Sequence, residues 1–262
     1  MHTEGEIRLC YITKEDGRKV ITPPPEGLLL EQARLDVIVE DPEEGTVRRF
    51  PVFRQNAMIY GDCSEYVKRH GCACCSLTTV LAAYVPGREK LTPEETIKSV
   101  EPFYIPERIY SRNYAKPMAR QMPLTLYAIS GILNREGVKN TYVGPFKDGE
   151  AGEQILAHLY SGRPVIIETS RMRRWRGHIV RLNDKKYAGS YHTMVLLGVC
   201  EDGRILFTDS ATRSWAGRIQ RLKQEDLSVL ISYMFPQKKE GDTHLYFHRR
   251  RGTGGYILID QG

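Results

Sequence analysis

Apolar and polar residues alternate along the first fifty positions. β-Branched residues mark four short runs, and a segment rich in Asp, Glu and Gly joins the two runs of each pair, as in hairpin turns. The four runs are residues 7–13, 18–22, 35–40 and 46–53. This pattern predicts a β-rich N-terminal extension made of two hairpins, over residues 1–50.

In the middle of the chain the apolar residues recur at a helical period. From Ser76 onward they follow the spacing i, i+3, i+4 and i+7, which predicts a helix that ends before Pro86. A second helix is predicted to begin after Thr92, because Pro93 and Glu95 complete a capping-box arrangement. Two more helices are predicted at about residues 123–135 and 153–162.

From Arg163 onward the pattern returns to strands. Apolar runs rich in β-branched residues predict strands at residues 164–169, 192–199, 204–211 and 256–260. A helical pattern over residues 224–234 interrupts them. The elements together predict an α+β fold for residues 51–262, in which a helical half precedes a sheet half.

The composition is that of a globular protein. Of 262 residues, 41% are hydrophobic and 27% are charged, which is enough for a sizeable core. No apolar run approaches the ~18 residues that cross a bilayer, and the first 25 residues contain no continuous apolar segment of the kind a signal peptide has. We therefore expect a cytoplasmic protein that does not enter a membrane. The six cysteines are too few for a disulfide scaffold, and we expect free thiols.

The net charge of +6 is concentrated in one segment. Residues 163–186 contain eight basic and two acidic residues, an excess that equals the net charge of the whole chain. A protein that binds nucleic acid through its overall charge would spread this excess along a face. The distribution therefore argues against that class of protein.

Three cysteines stand immediately before the predicted helix at Ser76. Cys72, Cys74 and Cys75 lie where the unpaired N–H groups of a helix start favour a thiolate over a thiol. A thiolate is the nucleophilic form of cysteine. The segment is therefore a candidate for nucleophilic catalysis.

A nucleophilic thiolate needs an imidazole partner and a third group that orients the imidazole. His192 begins one apolar strand, and Asp209 ends the next. Because the short turn at residues 201–203 makes the two strands neighbours, these ends can face one another. The sequence therefore predicts a Cys-His-Asp constellation.

The order of these residues resembles the stand-alone cysteine peptidases related to the double-glycine, bacteriocin-processing peptidases, within the papain-like superfamily. The resemblance covers about residues 51–235. It rests on Gln55, on the segment from Gly71 to Ser76, on Gly-Arg-Pro-Val-Ile at residues 162–166, on Tyr191-His192 and on Thr208-Asp209.

The resemblance implies a papain-like fold, in which a helical half packs on an antiparallel sheet, and a cysteine peptidase that needs no metal or organic cofactor. It makes Cys72 the nucleophile, His192 the general acid and base, and Asp209 the orienting carboxylate. Gln55 becomes an oxyanion-hole donor beside the backbone N–H of Cys72. The family's Gly-Pro after the nucleophile is Ala73-Cys74 here.

Two alternatives concern the cysteines. In the papain branch the nucleophile is the second cysteine of a C-x-x-C pair, which here is Cys75. A zinc site could instead use several of the nearby ligands, but a structural site draws its ligands in pairs from two segments, and no second pair is present. The potential ligands are Cys63, His70, Cys72, Cys74 and Cys75.

The basic residues between Arg171 and Arg181 are the candidate substrate-binding set. They lead directly into the strand of His192, so the connection is expected to border the cleft. Arginines there favour an acidic or phosphorylated peptide or protein through bidentate hydrogen bonds. A solvated hairpin is the simpler alternative, and a tryptophan that stacks on a nucleic-acid base is a less favoured third. The candidates are Arg173, Arg174, Trp175 and Arg176.

The function expected from these residues is hydrolysis of a peptide or isopeptide bond through a thioester acyl-enzyme. Two other classes use the same fold. An acyltransferase would pass the same thioester to an amine or thiol. A non-catalytic module would use the basic segment to bind peptide or nucleic acid.

Overall fold

The structure is a computed structural model. It describes residues 4–24, 34–55, 64–104, 124–144, 146–169, 172–175, 178–181, 192–210, 222–234 and 254–260. For residues 4, 64–66, 68–70, 100–104, 172–175 and 178–181 it describes the backbone alone.

The N-terminal strands form a four-stranded sheet in the order β2-β1-β3-β4. Each predicted hairpin is confirmed, because β1 pairs antiparallel with β2 and β3 with β4. Parallel pairing of β1 with β3 joins the two hairpins. The strands are β1 (Glu4–Thr13), β2 (Lys19–Ile21), β3 (Arg34–Asp41) and β4 (Thr46–Phe53).

Five helices lie within the described residues. The capping box is confirmed: Thr92 N–H donates to Glu95 Oε2 at 2.9 Å, and Glu95 N–H donates to Thr92 Oγ1 at 3.2 Å. The helices are α1 (Ser64–Tyr84), α2 (Pro93–Tyr104), α3 (Leu126–Arg135), α4 (Asp148–Tyr160) and α5 (Leu227–Tyr233).

The predicted start of the first helix at Ser76 is wrong, because α1 begins at Ser64. Its buried stripe continues backward through Cys74, Gly71 and Val67 at helical spacing. Gly71 interrupts the helical pattern in the sequence, since a glycine inside a helix is less favourable than an alanine by about 1 kcal/mol. A Cβ at Gly71 would lie 2.6 Å from Val67 Cγ1, so close packing favours glycine there.

The larger sheet has six strands in the order β11-β10-β9-β6-β12-β5, and its neighbours are antiparallel. The four strands predicted here are confirmed as β6, β9, β10 and β12. Strands β5 and β11 were not predicted, because runs of four residues are too short to show a clear apolar alternation. The strands after β4 are β5 (Asn140–Val143), β6 (Val165–Thr169), β7 (Met172–Trp175), β8 (His178–Arg181), β9 (His192–Val199), β10 (Ile205–Thr208), β11 (Leu222–Glu225) and β12 (Tyr256–Ile259).

Apolar side chains cover both faces of the larger sheet. On one face, α1, α3 and the N-terminal sheet share a core that includes Leu77, Ile129 and Val195. On the other face, α4 and α5 pack against residues such as Met194 and Leu196. This is a mixed α/β fold. The expected boundary at residue 50 stays a prediction, although the extension and the rest of the chain share the first core.

Among the residues that the structure describes, no helix is both long enough and apolar enough to cross a membrane.

The first hairpin packs closely on β9. The Tyr11 hydroxyl donates a hydrogen bond of 2.8 Å to the Leu197 carbonyl. A Cβ at Gly198 would lie 2.6 Å from Ile21 Cδ1, and Ile21 is fully buried. Gly198 therefore leaves the space that Ile21 fills.

We expect Gly198→Ala to lower the free energy of unfolding by about 1–3 kcal/mol, because the added methyl overpacks this contact. Urea unfolding measures the change. The matched control is Gly149→Ala in α4, where no atom lies within 4 Å of the added Cβ; it is expected to be neutral or stabilising by up to ~1 kcal/mol. A Gly198→Ala protein as stable as the wild type would contradict the packing of the hairpin on β9.

Candidate active site

The pairing of β9 with β10 brings two predicted site residues to one edge of the sheet. His192 is the first residue of β9, and Asp209 directly follows β10. Because the strands are antiparallel, the start of one lies beside the end of the other. The His192 ring donates a hydrogen bond from Nε2 to Asp209 Oδ1 at 2.8 Å.

Helix α1 brings the third residue to the same place. The Ser76 hydroxyl donates a hydrogen bond of 3.2 Å to the Thr193 carbonyl, which attaches α1 to the start of β9. Cys72 lies about one turn before Ser76. Its side chain interacts electrostatically with the His192 ring, whose Nε2 is bonded to Asp209.

The charges at this site stabilise each other against burial. Burial disfavours a charged His192 ring and lowers its pKa. The Asp209 carboxylate attracts that charge, the Cys72 side chain acts in the same direction as Asp209, and together they outweigh the effect of burial. The result raises the pKa of His192 to about 10. Burial also disfavours the Asp209 anion, yet His192 and Lys223 hold the pKa of its carboxyl well below the usual range. At neutral pH the pair is an imidazolium and a carboxylate.

These three side chains are enclosed. Cys72 is 3% exposed, His192 is 2% exposed and Asp209 is 1% exposed. Enclosure strengthens the interactions between their charges, because little water screens them. It also means that the sulfur is not open to solvent in this structure.

The neighbouring cysteines have different surroundings. The Cys74 thiol donates a hydrogen bond of 3.2 Å to the Pro93 carbonyl at the start of α2. Cys75 belongs to an apolar cluster with Phe53 and Val67. The contact with His192 therefore favours Cys72 over Cys75 as the candidate nucleophile.

Gln55 lies between the two segments that carry Cys72 and Asp209. Its backbone N–H donates to the Ser210 carbonyl at 3.1 Å, and the Ser210 hydroxyl lies 3.5 Å from Gln55 Oε1. On its other side, Gln55 Cγ lies 3.3 Å from the position of a Cβ on Gly71. The structure thus brings Gln55 next to the neighbours of both residues.

One expectation about Cys72 is corrected. Because α1 begins at Ser64, Cys72 lies about two turns inside the helix, beyond the first turn in which the partial charges of a helix start act. Helical geometry also directs its backbone N–H to a carbonyl four residues earlier, away from an oxyanion. In the described residues the His192 ring interacts electrostatically with the Cys72 side chain.

The basic segment has a hairpin backbone. Strands β7 and β8 pair antiparallel, with Trp175 opposite His178. The side chains of Arg173, Arg174 and Trp175, and all of Arg176, lie outside the described residues. Their contact with substrate therefore stays a prediction.

For a metal site, the described part of the chain holds no suitable group of three or more His, Cys, Asp or Glu side chains. Two ligands of the alternative zinc site, Cys63 and the side chain of His70, lie outside that part.

Sequence reasoning missed two residues of the site. Lys223 of β11 forms an ion pair with Asp209, and Ser210 contacts Gln55. Lys223 stands in the polar run Leu-Lys-Gln-Glu, which lacks the apolar alternation that identifies a strand. Only its pairing opposite Phe207 reveals it. Ser210 could have been identified from the sequence, because it directly follows Asp209.

The sequence model of the Peptidase C39-like family matches residues 47–233, which include Gln55, Cys72, His192 and Asp209. No curated protein matches the chain.

We predict that the stability of the protein depends on pH through His192. The folded protein binds the His192 proton more tightly than the unfolded chain, whose histidines titrate near ~6.5. The stabilisation is therefore complete below that pH and is lost as the pH rises through about 10. Urea unfolding across this range should show a steeper fall for the wild type than for His192→Gln. Parallel profiles would contradict the charged pair.

Proposed function

We infer that this chain, which belongs to the Peptidase C39-like family, is a cysteine peptidase that hydrolyses a peptide or isopeptide bond. The observation that carries the proposal is the attachment of α1, which carries Cys72, to the start of β9, where the His192 ring is bonded to the Asp209 carboxylate and interacts electrostatically with Cys72. Nucleophile, acid-base group and orienting group are the three parts that thiol-dependent acyl transfer requires.

A papain-like arrangement is part of the same proposal. It combines a helix that carries the nucleophile with an antiparallel sheet that carries the histidine. The packing of α1 against β9 and the antiparallel pairing of β9 with β6 and β10 support it.

In the proposed reaction, the Cys72 thiolate attacks the substrate carbonyl and forms a carbon–sulfur bond. The His192 imidazolium gives its proton to the leaving amine as the carbon–nitrogen bond breaks, which leaves a thioester. Neutral His192 then takes a proton from water, whose oxygen attacks the thioester. Collapse releases the carboxylic acid, and the thiolate and imidazolium are restored. Asp209 stays ionised throughout and holds the ring in position.

Gln55 is the proposed donor to the oxyanion. Its amide can donate two hydrogen bonds, and its place beside Gly71 brings it next to the nucleophile. The backbone N–H of Cys72 is less suited to this role than expected, since it lies inside α1. We therefore assign the larger share of oxyanion stabilisation to Gln55.

Enclosure of Cys72 constrains how a substrate reaches it. With the residue 3% exposed, a carbonyl can meet the sulfur only in a more open arrangement of the surrounding chain. We propose that turnover includes such an opening, and that the basic hairpin contributes Arg173, Arg174, Trp175 and Arg176 to contacts with an acidic peptide. The hairpin leads toward the strand of His192, which supports this choice.

We predict that a papain-family epoxide inhibitor labels Cys72 and that Cys72→Ala abolishes hydrolysis of unfolded casein. Intact mass and peptide mapping locate the adduct. Cys75→Ala is the matched control, because it removes an equally buried thiol from the same helix and is expected to keep activity. Thermal melting checks that both variants fold. Hydrolysis by folded Cys72→Ala protein would refute the assignment.

We expect Gln55→Glu to lower kcat for peptide hydrolysis by about 10²–10³, because the change keeps the side-chain size but removes the donors to the oxyanion. Alkylation of Cys72 by iodoacetamide, which forms no oxyanion, should proceed at a rate near that of the wild type. Equal losses in both rates would mean that Gln55 only shapes the site.

A further inference from the structure

The Asp209 carboxylate contacts two cationic groups. His192 Nε2 donates to Oδ1, and Lys223 Nζ forms an ion pair with Oδ2. Lys223 comes from β11, where it lies opposite Phe207 on β10, two residues before Asp209. The sheet register therefore fixes the lysine beside the carboxylate.

This ion pair is largely withdrawn from water. The Asp209 side chain is 2% exposed and the Lys223 side chain is 23% exposed. Removing one partner of a buried carboxylate leaves its charge uncompensated, which costs free energy. Such a carboxylate lowers that cost by moving or by taking up a proton. The geometry gives Lys223 control over the orientation of Asp209.

We propose that Lys223 is a positioning residue for the His192–Asp209 pair, a role that rests on the proposed peptidase function. By holding Oδ2, the ammonium directs Oδ1 toward the imidazole. When His192 has given its proton to the leaving amine and is neutral, Lys223 remains as a positive partner of Asp209. The carboxylate then stays ionised until the ring takes up the next proton.

Several charged or ionisable groups surround the His192 ring. Cys72 reaches it from α1, and Asp209 follows β10. Lys223 approaches Asp209 from β11. The buried Glu168 stands on β6 opposite Thr193, the residue after His192. A substitution of Lys223 leaves these other groups in place. A change in the pKa of His192 therefore reports a change in the position of the Asp209 carboxylate.

Histidine titration by NMR of ¹⁵N-labelled protein tests the proposal. In Lys223→Met, we expect the pKa of His192 to fall from about 10, because a released Asp209 turns away from the ring. In Lys223→Arg, which keeps the cation, it should stay near the wild-type value. If Lys223 were only a nearby positive charge, its removal would raise the pKa of His192. An unchanged or raised value would overturn the proposal.

Kinetics give a second readout. With a peptide that the wild type cleaves, kcat of Lys223→Met should fall roughly tenfold or more, below the ~10⁴-fold loss that follows removal of an orienting carboxylate. KM should change little, and Lys223→Arg should restore most of kcat. Lys147→Met is the matched control, because it removes an exposed lysine paired with Glu150 at the start of α4. A kcat of Lys223→Met equal to that of this control would contradict the proposal.

The two proposals fail separately. A wild type without peptidase activity would overturn the proposed function, while the NMR titration would still decide the role of Lys223. If Lys223→Met does not fold, Lys223→Gln is titrated in the same way, with the same lowered pKa expected. An unmoved His192 in that variant would likewise overturn the positioning role.

Discussion

The hydrogen bond between His192 and Asp209 is the interaction on which the candidate site depends. Both side chains are buried, and a buried charge is tolerated only with a partner in good geometry. The antiparallel pairing of β9 and β10 supplies that geometry, because it sets the first residue of one strand beside the residue that follows the other. The imidazolium that results is the partner available to the Cys72 sulfur.

The N-terminal sheet takes part in building the site. Strand β4 ends at Phe53 and leads directly to Gln55, and the Thr79 hydroxyl of α1 donates a hydrogen bond of 2.6 Å to the Pro51 carbonyl. Residues 209 and 210 both make hydrogen bonds at the site, since Asp209 accepts from the His192 ring and the Ser210 carbonyl accepts from Gln55 N–H. One short segment after β10 therefore links His192, the proposed acid-base group, to Gln55, the proposed oxyanion donor.

Sequence reasoning found what local chemistry encodes. The two N-terminal hairpins, the cap at Thr92 and the neighbouring strands that carry His192 and Asp209 followed from turn residues, capping residues and apolar runs. It failed where packing decides. The predicted helix starts at Ser76, although α1 begins at Ser64 and close contact with Val67 favours glycine at position 71 inside it. Lys223 stands in a polar run whose place beside β10 depends on long-range pairing, so no local pattern identified it.

The central claim is that the Cys72 sulfur is reactive because His192 and Asp209 stand beside it, and the rate at which iodoacetamide alkylates Cys72 tests it most directly. Peptide mapping locates the modified cysteine. Cys72 of the wild type is expected to be alkylated faster than Cys72 of a folded His192→Gln protein. Equal rates at Cys72 in the two proteins would contradict the claim.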